Sequence, residues 1–209
     1  MTARQFAAPR AAPAEPPFKA RAFDLSRVEG LSKRAIEVHL SLYEGYVKEC
    51  NALLPLMSDE QTDSSPAVKL QADGLVRRFA FERNGMELHE LFFDALRGPS
   101  EPPRAKGAFL SAAQTGYGGF EGWKASVANI AQTRGIGWVL TLLVPRERRL
   151  VNVWIDDHTR GLVANARIVC VFDLWEHAYL IDFEPSRKPQ YLQTLFDNMD
   201  WQVIEARCQ

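Results

Sequence analysis

Apolar residues recur at three- and four-residue steps early in the chain. Ile36, His39, Tyr43, Tyr46, Val47, Cys50 and Leu54 fall on one face of a helix. Ser32 stands as its N-cap and Pro55 is expected to stop it near Leu54. Residues crowded with Asp, Ser and Pro from Ser58 to Pro66 read as a loop. A second helical region runs from Ala67 to Leu96, with a break expected near Phe79–Phe81, and puts Gly85, His89, Phe92, Phe93 and Leu96 on one face.

The period then changes. Gly98 to Gly107 is rich in Gly and Pro and reads as a linker. Two helices are expected around Phe109–Thr115 and Gly119–Gln132, and Gly135-Ile136-Gly137 breaks the pattern. Trp138–Val144 and Arg149–Ile155 read as strands joined by a polar turn, and Ala166–Phe172 as a third. The last segment, from Pro189, is helical, with Tyr191, Leu192, Leu195 and Phe196 as its apolar face. The pattern implies an α+β protein: a disordered tail over residues 1–22, a helical hairpin domain over 23–98, and an α/β domain over 108–209.

Composition removes several classes. With 209 residues and 46% hydrophobic content, the chain can bury a real core. A formal net charge of −1 suggests no nucleic-acid partner, and no apolar run suits a membrane span or a secretory signal. Cys50, Cys170 and Cys208 are odd in number and lack C-x-x-C spacing, which argues against a disulfide framework and a zinc ribbon. The expected compartment is the cytoplasm.

The chemistry lies in the histidines. His39 and His89 sit on the inward faces of adjacent helices, and a buried imidazole needs a partner for its polar nitrogens. Each taken singly reads first as a core histidine with one backbone hydrogen bond. A shared metal would serve both. Asp173, at the end of the third strand, stands four residues before His177, and such a pair can ligate a metal. His89-Glu90 lacks the second histidine of a zincin motif.

Six blocks in order carry a resemblance: Ile36-Glu37-Val38-His39, Glu87 to Phe93, Gly135-Ile136-Gly137-Trp138, Asp173-Leu174-Trp175-Glu176-His177-Ala178-Tyr179, Arg187 with Pro189 to Leu192, and Asp200-Trp201. Together they resemble the iron/manganese superoxide dismutase family over nearly all the chain after Gly30. The resemblance implies a helical hairpin supplying two histidines and an α/β domain with a three-stranded antiparallel sheet supplying Asp and His. It implies His39, His89, Asp173 and His177 as metal ligands, iron or manganese as the cofactor with iron favoured, and superoxide as the substrate. The implied reaction is a cycle in which one superoxide reduces the metal and leaves as dioxygen. A second oxidises it and leaves as peroxide, taking protons.

The departures from the family pattern are specific. Gly85 stands where many members place a glutamine, and His158 is the expected substitute, with Asp157 as the alternative if the register slips. Tyr43 and Val47 occupy positions the family gives to a histidine and a channel tyrosine; Tyr46, one residue earlier, is expected to replace the tyrosine. Trp138, Trp175 and Phe93 would wall the site. Glu176 is retained, and the resemblance implies a homodimer in which it bonds His177 of a second subunit, although Leu180 replaces a tyrosine of that contact. A non-catalytic metal-binding relative of the same fold is the alternative reading.

Overall fold

A computed structural model describes residues 16–57, 65–103 and 107–209. Expectations for residues 1–15, for most of the Ser58–Pro66 loop and for part of the linker lie outside the described residues. The first helix, α1, spans Lys33–Met57. Ser32 caps it, its Oγ accepting from the Ala35 N–H at 3.1 Å. Pro55 does not end α1 but sits inside it. A proline removes one N–H and has a helical φ, so in a last turn it costs one bond without forcing the chain out.

Helix α2 spans Pro66–Asp94 and is continuous through Phe79–Phe81, where a break was expected. No glycine or proline lies between Gly74 and Gly85 to break it, and Phe81 packs its ring 4.5 Å from that of His158. Helices α1 and α2 form the hairpin. Residues 18–22, which the sequence reading assigns to a tail, lie along it: the Asn51 side chain bonds the Phe18 N–H at 3.0 Å and the Phe18 carbonyl at 2.8 Å.

The second half opens with α3 (Ala108–Tyr117) and α4 (Phe120–Ile130). Strands β1 (Gly137–Val144), β2 (Arg149–Asp156) and β3 (Arg167–Asp173) follow. They form an antiparallel sheet in the order β2-β1-β3. β1 is central and buried almost along its length, which explains its apolar run, broken only by Thr141. A short helix, α5 (Glu176–Tyr179), follows β3 directly, and α6 (Lys188–Asp197) and α7 (Trp201–Arg207) complete the chain. One core cluster joins the two halves, with Phe92 and Phe93 of α2 and Trp138 and Phe172 of the sheet all buried.

Candidate metal centre

Four side chains from four elements meet at the seam between the halves. α1 brings His39, α2 His89, the end of β3 Asp173, and α5 His177. One ligand atom from each lies within 4.8 Å of all the others. The Nε2 atoms of His39, His177 and His89 stand 3.0, 3.3 and 3.6 Å from Asp173 Oδ2. Donors about 2.1 Å from a common ion, at angles between right and trigonal, are about 3.0–3.6 Å apart.

Two further observations fit a metal. His89 Nε2 and His177 Nε2 are buried without a hydrogen-bond partner, a costly state unless an ion takes their lone pairs. The orientation of His89 comes from its other nitrogen, since Nδ1–H donates to the Gly85 carbonyl at 2.6 Å and leaves Nε2 as the lone-pair atom. Burial lowers the pKa of His39, and burial with neighbouring imidazoles pushes that of His89 down to about 3, so both are neutral. Burial opposes the charge on Asp173, but His177 and His39 more than offset it and hold the carboxyl below its ordinary range. Its Oδ1 accepts from the Trp175 N–H at 2.9 Å, which directs Oδ2 toward the histidines. Neutral imidazoles and an ionised carboxylate are the forms that bind metal, and three nitrogens with one oxygen suit iron or manganese.

His158 is fully buried rather than on a surface turn. Asp157, with φ +53°, turns the chain so that His158 points inward, and the Asn84 side chain bonds the His158 carbonyl at 2.8 Å. Its ring stacks 4.9 Å from Trp175. Trp138 Nε1–H donates to His158 Nδ1 at 3.0 Å, and His158 Nε2 lies 2.9 Å from Tyr46 Oη. Indole is only a donor, so Nδ1 must accept. Burial pushes the His158 pKa down to about 4, so the ring is neutral and its single N–H, on Nε2, points at Tyr46. Both ring nitrogens of His158 are therefore engaged within the chain. The Tyr46 hydroxyl keeps its own proton to give.

The comparisons with known proteins agree with this geometry. The family model described as iron/manganese superoxide dismutases, C-terminal domain, matches residues 105–207. A superoxide dismutase (Fe) of Cupriavidus metallidurans is 31% identical over 185 residues, covering 87% of this chain and 90% of that protein. The chain belongs to the iron/manganese superoxide dismutase family. A superoxide dismutase (Fe) of Methanothermobacter thermautotrophicus is 29% identical, covering 81% and 82% of the two chains. A superoxide dismutase (Mn) of Haloferax volcanii is 27% identical with the same coverage.

Within that family frame the departures acquire a geometry. A Cβ on Gly85 would fall 2.7 Å from Tyr46 Cδ1, so the missing side chain is what seats the Tyr46 ring, 5.1 Å from the His89 ring. Val47 is buried. Tyr43 is also buried, and its hydroxyl donates to Glu90 Oε1 at 2.9 Å and accepts from the Arg21 N–H at 2.8 Å. Phe93 packs 4.8 Å from the His39 ring, Trp138 5.0 Å from that of His89, and Trp175 5.8 Å from that of His177. Sequence reasoning missed Phe81 because it placed a helix break there. It also missed Arg21 and Glu90, whose tie to Tyr43 joins residues far apart in sequence and has no local signal.

Proposed function

We propose that the protein is a superoxide dismutase acting through His39, His89, Asp173 and His177 as the ligands of one redox metal. The observation that carries this is the meeting of three imidazoles and a carboxylate, with two buried Nε2 atoms left without partners. A bound iron or manganese supplies the one-electron couple that takes an electron from one superoxide and gives it to another. Iron is the favoured metal, supported by the match to the Cupriavidus metallidurans protein named for iron.

The chain's own residues govern protons and access. Making peroxide consumes two protons, and the site excludes bulk water with Phe81, Phe93, Trp138 and Trp175. The Tyr46 hydroxyl is the proton donor at this wall, and burial raises its pKa, which keeps it protonated at neutral pH. His158 acts through Tyr46: its N–H fixes the phenol oxygen as acceptor and so aims the phenol proton elsewhere. Trp138 in turn sets the tautomer of His158.

The same reading includes a homodimer. Glu176 is exposed at the start of α5, with Leu180 and Ile181, 42% and 44% exposed, just beyond it. A two-fold partner would bring its Glu176 to His177 and cover these apolar residues. The hairpin (23–98) and the α/β region (108–209) are two domains in this reading, with the site in their seam. Among the described residues no helix is long and apolar enough to cross a membrane. We place the protein in the cytoplasm, where its three buried free cysteines would stay reduced.

The test combines elemental analysis with superoxide consumption on iron- and manganese-loaded protein. Stoichiometric metal with rapid consumption is expected, and His89→Ala should lose most of its metal. Full occupancy in His89→Ala would overturn the ligand set. Stoichiometric metal without consumption would favour the non-catalytic relative, a reading drawn from Tyr43, Val47 and Leu180.

A further inference from the structure

Arg207, at the end of α7, reaches backbone groups of both α2 and β3. Its side chain is 12% exposed. Nη2 donates to the Leu91 carbonyl at 2.9 Å and Nη1 to the Val169 carbonyl at 3.2 Å. Each carbonyl sits where the regular ladder of its element changes. Leu91 lies in the last turn of α2, where the Ala95 N–H bonds Phe92 instead. Val169 is the residue skipped by the β1–β3 ladder, which pairs Thr141 with Cys170 and Leu142 with Ile168. One guanidinium therefore satisfies a helix end and a bulge, two backbone groups that burial would otherwise leave costly.

Both points lie on elements that carry ligands. Leu91 is two residues beyond His89 on α2, and Val169 lies on β3 ahead of Asp173. The network continues outward. Asp94 Oδ2 is 3.4 Å from Arg207 and its Oδ1 2.7 Å from Arg21. Arg21 is 3.5 Å from Glu90, and Glu90 accepts from Tyr43 on α1, one turn beyond His39. Bonds centred on Arg207 thus join β3, α2 and α1, the three elements that carry Asp173, His89 and His39.

We propose that Arg207 is a positioning residue of the metal centre, holding the His89 helix and the Asp173 strand at the separation the metal needs. This rests on the ligand reading above. It predicts that the ligand halves drift when the guanidinium is removed, although no ligand is touched. Lysine has the charge but not the planar fork, so it can restore the position only in part.

The experiment uses the metal-loaded protein and compares wild type with Arg207→Met, Arg207→Lys and Asp94→Asn. Metal release into excess chelator is measured beside the electron paramagnetic resonance spectrum of the ferric form and the unfolding stability of the metal-free protein. Arg207→Met should release metal about tenfold faster or more with a changed ferric spectrum. Arg207→Lys should fall between, and Asp94→Asn, which keeps both carbonyl bonds and loosens only the outward link to α1, should stay nearer wild type than either. If Arg207→Met loses only metal-free stability and keeps wild-type release and spectrum, Arg207 supports the fold alone and the proposal is overturned. Should Arg207→Met not fold, wild-type release from Arg207→Lys overturns it equally. Metal retained by His89→Ala would instead sink the ligand reading, which keeps the two failures apart.

Discussion

Replacing Tyr46 with phenylalanine removes one oxygen and leaves the ring seated over Gly85 and beside His89. The structural loss is the bond between His158 Nε2–H and Tyr46 Oη at 2.9 Å. His158 is fully buried and its other nitrogen is taken by Trp138, so its N–H has no second acceptor. A buried donor left unmade costs about 1–3 kcal/mol. For a chain of this size that lowers Tm of the metal-free protein by roughly 2–12 °C. The four ligands are untouched, so elemental analysis should find metal content unchanged. Turnover, followed by direct decay of superoxide absorbance, should fall by up to about 10²-fold, the lower end for a positioned proton donor. The fall should deepen as pH rises and solvent protons become scarce. Wild-type turnover across the pH range, with wild-type metal content, would refute the assignment of Tyr46 as proton donor. A large loss of metal would refute the separation of ligands from proton delivery.

Three other outcomes follow from the same geometry. Gly85→Ala places a methyl 2.7 Å from Tyr46 Cδ1, so the ring must leave His89 and the bond to His158 must break; turnover should fall at least as far as in Tyr46→Phe, and a crystal structure with Tyr46 unmoved would contradict this. In the metal-free protein, His158 and His89 have pKa values pushed down to about 4 and about 3, so below pH 6.5 the unfolded chain takes protons that the folded chain refuses. Denaturant unfolding should show full stability above that pH and a loss of several kcal/mol between pH 6.5 and 4; a flat profile would mean these rings are not neutral and buried. Leu180→Asp puts a charge on an exposed apolar position beside Glu176, and sedimentation should show the proposed dimer weakened, whereas an unchanged assembly would move the interface elsewhere.

The local pattern determined much of the architecture. Periods of three and four residues marked the inward faces of α1 and α2, and the apolar runs marked β1, β2 and β3, because burial of one face is written directly into residue order. The block from Asp173 to Tyr179, with five others in order, carried the resemblance to the family; within it, local backbone alone sets a strand-end carboxylate near a histidine four residues on. Other features depended on tertiary contact. Pro55 and the Phe79–Phe81 stretch looked like helix ends, yet the helices continue, because local breaking tendencies are weak beside packing across the hairpin. Residues 18–22 looked like tail, yet Asn51 and Tyr43 hold them. Whether His158 faces solvent or the site turned on one left-handed residue, Asp157, and its proton position on a tryptophan 20 residues away. The role proposed for Arg207 depends on two backbone carbonyls in elements distant from it in sequence. A sequence shows which side chains must be buried; which donor meets which acceptor is set by the packing of elements, and only the folded chain holds that information.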